Sequence, residues 1–167
     1  MSAPRAMLTQ NRLREVLDYN PTTGVFVWRV RRGCMSAGDQ AGRTTDEGYL
    51  SICVDGRSYQ AHRLAWLHFY GVWPVGNIDH RDTDKKHNWI ANLRLATKSQ
   101  NGANRGANRN NTTGFKGVTL HHSGRYCAAI KKDQHHIYLG IFDTPEQAHA
   151  AYDRKATEIF GNFARTR

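Results

Sequence analysis

Four side chains between positions 79 and 101 could do chemistry together. Asp79 and His80 are adjacent, Asn92 follows His80 by 12 residues, and Asn101 lies 9 further on. A carboxylate such as Asp79 is a hard oxygen ligand, and the side-chain carbonyl of Asn101 can be a second, which suits an oxygen-preferring ion such as Mg²⁺. Two protein ligands leave coordination positions for waters and a substrate phosphate. His80, with an ordinary pKa of about 6.5, is suited to take a proton from water near neutral pH. A cation that neutralises developing charge and a base that generates hydroxide are the requirements of phosphodiester hydrolysis.

The surrounding pattern supplies elements to hold these groups. Asn77 to His80 reads as the end of a short strand, and Thr97 with Gln100 forms a capping box that places Asn101 early in a helix. Upstream, Thr9 can cap a short helix in which Leu13, Val16 and Leu17 recur at helical spacing. Val25 to Val30 reads as a strand. Tyr49 to Val54 and Arg57 to Ala61 flank Asp55-Gly56, a pair that supplies the positive φ angles of a two-residue hairpin turn. From His62 the pattern turns helical until Trp73-Pro74. Asp82, Asp84 and His87 read as solvated loop residues, and Arg63 could reach a phosphate or equally serve packing or a salt bridge.

Asn101 to Gly114 reads NGANRGANRNNTTG, with no acid and only Ala as an apolar residue. So polar a stretch offers little surface to offset its ordering entropy and is expected to be a linker. Beyond it come three strands, Phe115–His121, Arg125–Lys131 and His136–Phe142. Alternation puts Ile137, Leu139 and Ile141 on one face of the last strand, with His136, Tyr138 and Gly140 on the other. Thr144-Pro145-Glu146-Gln147 then starts a helix. The expected architecture is α+β. Its parts are an N-terminal β-rich region with a catalytic core (1–103, core 61–103), an Asn/Arg linker (104–113), and a three-stranded antiparallel sheet packed on one helix (114–167).

The chain has 167 residues, with 24 Lys and Arg against 14 Asp and Glu, a formal charge of +10. That excess grows along the chain, from 8 basic against 6 acidic residues over 1–60 to 10 against 5 over 104–167. Nucleic acid is the natural partner for such a balance. No apolar run reaches the roughly 18 residues that suggest a membrane span, and Met1 to Arg14 lacks the apolar stretch of a secretory signal. The three cysteines are dispersed and odd in number. They argue against a disulfide framework or zinc ribbon and favour a reducing compartment, the cytosol by default. The paired histidines His121-His122 and His135-His136 point to opposite strand faces, so zinc is not expected there.

Two resemblances sharpen this. The run Gln60-Ala61-His62-Arg63-Leu64, then Ile78-Asp79-His80, Asn88, Asn92-Leu93-Arg94, Thr97 and Asn101, resembles the HNH endonucleases. It is most similar to the phage and intron-encoded homing branch, whose last ligand is Asn. The resemblance implies a ββα-metal core around one Mg²⁺ or Mn²⁺ ion, with Asp79 and Asn101 as ligands and His80 as general base. It implies that Asn92 orients the active-site loop through backbone hydrogen bonds, and that cleavage leaves 5′-phosphate and 3′-hydroxyl ends. If the chain is phage-encoded, the cytosol would be that of a bacterial host.

Residues 112–167 resemble the DNA-binding domain of plant ethylene-response factors, of the Apetala type, through Gly114-Phe115-Lys116-Gly117-Val118, Gly124-Arg125-Tyr126, Tyr138 to Thr144 and Tyr152-Asp153. That resemblance implies a sheet laid in the major groove of double-stranded DNA, with contacts from Lys116, Thr119, His121, Arg125, Lys131, His136 and Tyr138. Most Arg positions of the plant pattern are Thr, His or Lys here, so its base preference is not expected to carry over. In the linker, Arg105 and Arg109 could track phosphates or enter the minor groove. The composite expectation is a DNA endonuclease acting as monomer or homodimer. Its rival is a non-catalytic, repressor-like DNA-binding protein with a decayed nuclease core.

Overall fold

The computed structural model describes residues 7–108 and 110–165. It has an α+β fold built from small antiparallel sheets, and it divides into two compact units, one ending at Leu95 and the other starting at Ala96.

In the first unit, α1 (Gln10–Val16) is capped by Thr9, whose hydroxyl accepts from the Arg12 amide at 3.2 Å. The chain then passes directly into β1 (Leu17–Tyr19), which pairs with β2 (Phe26–Trp28) so that Leu17 faces Trp28 and Tyr19 faces Phe26. β3 (Arg43–Thr44), β4 (Leu50–Val54) and β5 (Arg57–Gln60) form a second sheet. Its tight turn uses Asp55 at φ 49° and Gly56 at φ 78°, as the Asp-Gly pair predicts. α2 (Ala61–Tyr70) follows without a break and stops at Gly71 in the left-handed region. Leu13, Leu17, Phe26, Ile52, Val54, Leu64 and Leu67 fill one apolar core. Against it lie β6 (Asn77–His80) and β7 (Leu93–Ala96), a two-stranded sheet that carries the Asp79-His80 pair.

The second unit begins with α3 (Lys98–Asn104), whose start is the complete Thr97/Gln100 capping box. β8 (Val118–Leu120), β9 (Tyr126–Lys132) and β10 (His135–Phe142) form an antiparallel sheet in the order β10-β9-β8, backed by α4 (Pro145–Phe160). Thr144 caps α4 and Pro145 opens it, as expected. The core is small. Ala103, Ile130, Tyr152, Ala156 and Phe160 make one cluster, and Val118, Ala128 and Ala148 another.

Two expectations are corrected here. Residues 101–104, read as the start of a linker, are the last turn of α3, with Ala103 and Asn104 buried. The unpromising composition is overridden because one small apolar side chain, Ala103, fits the core of the second unit. Strict alternation also fails in β10. Its register against β9 shifts between Tyr138 and Gly140, which leaves Leu139 as the extra residue of a bulge. Beyond the bulge Gly140 pairs with Ala128 and Ile141 with Cys127, so Phe142, not Ile141, packs into the core. Gly140 itself has φ 129°, and a Cβ there would lie 3.3 Å from the Phe142 ring, so glycine suits the kink.

Candidate active site and nucleic-acid face

Asp79 and His80 are consecutive on β6 and both are buried, at 4% and 5% exposure. Each has its own partner. Arg94 on β7 sends Nε to Asp79 Oδ2 at 2.8 Å and Nη2 to the same oxygen at 2.7 Å, and it is itself only 9% exposed. His80 Nε2 lies 3.3 Å from Asn88 Oδ1. The Asn88 amide nitrogen donates to the Lys86 carbonyl at 2.9 Å, so the group offered to His80 is an oxygen. The hydrogen therefore resides on Nε2 of the neutral ring, and Nδ1 is its basic nitrogen. Burial pushes the His80 pKa below the ordinary imidazole value, with the Asn88 contact and nearby Asp82 and Asp79 opposing.

Asn88 is held from several directions. Its carbonyl accepts the Tyr19 hydroxyl at 2.7 Å, and the Ile90 amide donates to the Pro21 carbonyl at 2.9 Å. The turn that reaches it closes on Gly24, where a Cβ would fall 2.4 Å from the Trp89 nitrogen and 2.5 Å from the Asn88 carbonyl carbon. Only a residue without a side chain allows that approach. The N-terminal β1–β2 hairpin thus seats the residue that orients His80.

Asn92 closes the loop between β6 and β7. Its side-chain nitrogen donates to the His87 carbonyl at 2.8 Å and to Asp82 Oδ1 at 2.9 Å, and its side-chain oxygen accepts from the Asp82 amide at 3.1 Å. The Arg81 amide donates to the Asn92 carbonyl at 2.9 Å. Asp82 and His87, read from sequence as solvated loop residues, are tied into this loop, with His87 Nδ1 at 2.6 Å from Asp82 Oδ2. Burial works against the charge on Asp82, but hydrogen bonds from Asn92, His87 and the Asp84 amide hold its carboxylate below the usual range.

Sequence reasoning assigned no role to Asn88 or Arg94, although both stand in the quoted motif. It read His62 only as a helix-entry residue. His62 is 5% exposed, its ring centroid is 5.1 Å from that of His80, and its buried Nδ1 has no hydrogen-bond partner. Burial first, then the neighbouring His80 and Arg63, lower its pKa to about 3. Arg63, left open between phosphate and packing roles, donates to the Gly76 carbonyl at 3.0 Å and the Pro74 carbonyl at 3.4 Å, just ahead of β6.

Asn101 lies half-buried on α3, in the second unit. In that unit the strand register gathers most of the expected contact residues on the sheet face away from α4. Thr119 stands opposite Cys127, Tyr138 opposite Ala129, and His136 opposite Lys131. The His121 amide bonds to the Arg125 carbonyl at 2.8 Å, which continues the same row. Tyr138 is 63% exposed, and Arg125 makes a surface pair with Asp143 at 2.8 Å.

Lys116 is not on that face. Its ammonium sits 5.8 Å over the ring of Tyr152, on the α4 side, and donates to the carbonyls of Ala103 and Arg105 at the end of α3. Burial, reinforced by Arg165, lowers its pKa to about 8. Arg105 is exposed at the end of α3. Arg109 lies outside the described residues.

Comparison with known proteins finds two kinds of similarity. Residues 59–103 match the family model for HNH endonucleases. An uncharacterized HNH endonuclease of Acanthamoeba polyphaga mimivirus is 37% identical over 87 residues, covering 52% of this chain and 44% of that protein. APETALA2-like protein 2 of Oryza sativa is 35% identical over 89 residues, covering 51% and 19%. An ethylene-responsive transcription factor of Medicago truncatula is 38% identical over 81 residues, covering 47% and 30%. The chain therefore spans less than half the length of these relatives. A solved structure described as DNA binding and cleavage by the HNH homing endonuclease I-HmuI aligns with a TM-score of 0.42 at 26% identity, over 53% of this chain and 51% of that one. Residues 59–103, which bring Asp79, His80, Asn88, Asn92 and Arg94 into one segment, are an HNH endonuclease domain, in a chain that also has partial similarity to the Apetala and ethylene-response DNA-binding factors.

Proposed function

We propose that this protein is a divalent-metal-dependent DNA endonuclease that hydrolyses phosphodiester bonds, by nicking or double-strand cleavage. The observation that carries the reading is the pair of adjacent buried groups on β6, the Asp79 carboxylate oriented by Arg94 and the His80 imidazole oriented by Asn88.

His80, kept neutral by burial, takes the proton from a water at Nδ1 while Nε2 stays directed at Asn88. Asn92 holds the intervening loop, so that the imidazole does not have to be ordered during reaction. Asp79 and Asn101 are the residues that would hold the cation. Their donors, a carboxylate and an amide carbonyl, are oxygens that fit a hard ion. Among the described residues no cluster of three or more His, Cys, Asp or Glu side chains is placed to hold a metal. When bound, Mg²⁺ or Mn²⁺ would supply charge stabilisation at the phosphate and at the leaving 3′ oxygen. The outer sheet face with Thr119, His121, Arg125, Lys131, His136 and Tyr138, together with Arg105, would carry the duplex.

The test is supercoiled plasmid with Mg²⁺ or Mn²⁺, with and without chelator. Wild type should cut and leave 5′-phosphate ends, and chelator should stop it. His80→Ala should lose about 10²–10⁴-fold in rate while binding duplex normally. Plasmid left intact under every metal, with duplex still bound, would replace this reading by that of a non-catalytic DNA-binding protein.

A further inference from the structure

We infer that Lys116 is a positioning residue for Asn101: its ammonium, clamped on the end of α3, holds the short helix that carries this side chain. The inference rests on the proposed metal role of Asn101.

α3 has seven residues, too few to persist alone, because isolated helices shorter than about 12–15 residues are marginal in water. Its order must come from packing, and the second unit supplies several contacts for it. Ala103 lies in the core with Ile130, Tyr152, Ala156 and Phe160. The amide of Asp133, in the β9–β10 turn, donates to Ser99 Oγ at 3.1 Å, and the Arg165 amide donates to the Ala103 carbonyl at 3.3 Å. Lys116 adds two more. Its Nζ donates to the Ala103 carbonyl and, at 2.6 Å, to that of Arg105. Those are terminal carbonyls with no further turn of helix to satisfy them, and a cation at a helix C-terminus is favoured there. Asn101 sits two residues before Ala103 on this same short helix.

Lys116 stands where the ethylene-response resemblance implies a DNA contact. Here its ammonium sits over the Tyr152 ring, on the α4 side of the sheet, so its charge is engaged inside the module. The sheet's outer face keeps Lys131 for phosphates.

The experiment compares wild type, Lys116→Met and Lys116→Arg as full chains. Amide hydrogen exchange without metal reads the order of α3, Mn²⁺ titration followed by electron paramagnetic resonance reads the ligand set, and duplex affinity in chelator reads the sheet face. In Lys116→Met, which keeps an unbranched apolar side chain at this position, exchange of the α3 amides should rise about tenfold or more while β9 and β10 stay protected. Mn²⁺ affinity should fall about tenfold, as when a group that orients a ligand is removed. Duplex affinity should hold, and Lys116→Arg should recover most of both losses. Unchanged α3 protection in Lys116→Met overturns the proposal, as does a drop in duplex affinity with α3 intact. A wild type that binds no Mn²⁺ overturns instead the metal reading beneath it, and the metal-free exchange arm tells the two failures apart.

Discussion

The polar groups of the two units live under different conditions. Asp79, His80, Asn88, Asn92 and Arg94 are each 9% exposed or less, whereas Thr119, Arg125, Lys131, His136 and Tyr138 stand exposed on an open sheet. In the first unit each side chain has a dedicated partner on a neighbouring strand or loop, at 2.7 to 3.3 Å. In the second the outer face has one close ion pair, Arg125 with Asp143, among the described residues. Buried polar groups are costly unless satisfied, so a buried set that is satisfied is also rigid. That suits a centre which must hold a proton acceptor still. Exposed groups remain hydrated and movable, which suits a surface whose partner brings its own charge. The difference predicts that substitutions in the first unit act through stability and rate, and those on the sheet through affinity and its salt dependence.

Arg94 offers the largest break. Replacing it by Met leaves the Asp79 carboxylate buried beside an apolar side chain, and removing one partner of a buried pair costs about 3–5 kcal/mol. Urea denaturation of Arg94→Met should show a loss of that order. A shift under 1 kcal/mol would mean that Asp79 is reached by water and that the first unit's polar groups are no more sheltered than those of the sheet.

How much of this could be read beforehand differs between the units for physical reasons. Caps and turns are local, and Thr9, Thr97, Thr144 and Asp55-Gly56 all act where their neighbours in sequence place them. The spacing of Asp79, His80 and Asn92 likewise reports a short strand and loop. What could not be read depends on contacts distant in sequence. Nothing local says that Gly24 must touch Asn88, that Arg94 pairs with Asp79 across strands, or that Lys116 reaches back to Ala103. The bulge at Leu139 is similar. A period of two assigns faces correctly up to an inserted residue and wrongly beyond it, which is why Ile141 changed sides while His136 and Tyr138 did not.

Acid should sharpen the contrast next. Burial lowers the pKa of His62 to about 3 and also lowers those of His68 and His80. A group with a depressed folded pKa binds fewer protons when folded. Stability therefore rises with pH across the window from the folded value to the unfolded value of about 6.5, and falls as pH drops through it. Each such histidine contributes a slope of at most about 1.4 kcal/mol per pH unit. Denaturation midpoints at pH 7, 6 and 5 should fall in that order, and His62→Gln should flatten the profile even if it lowers the plateau. An unchanged slope would mean that His62 is hydrated when folded.

On the sheet the effects are smaller and of another kind. Lys131→Ala should leave the denaturation midpoint within about 0.5 kcal/mol of wild type. It should weaken duplex binding and reduce the slope of log affinity against log salt by about 0.9, one phosphate contact. An unchanged slope with weakened binding would assign Lys131 to packing and not to phosphate.

The smallest effect is the most direct probe of the exposed face. Asp143 holds the Arg125 guanidinium at 2.8 Å, with both side chains at least half exposed. Such pairs contribute roughly 0–1 kcal/mol, so Asp143→Asn should barely move stability. It should nevertheless remove a negative charge from the edge of the sheet and release Arg125, the one Arg described on this face. Duplex affinity at low salt should therefore rise a few-fold, and the gain should vanish at high salt as the Debye length shrinks toward about 3 Å at 1 M. An affinity gain that survives high salt would point to direct readout of a base by the freed guanidinium, because a bidentate hydrogen bond to guanine is screened far less than a charge held at a distance.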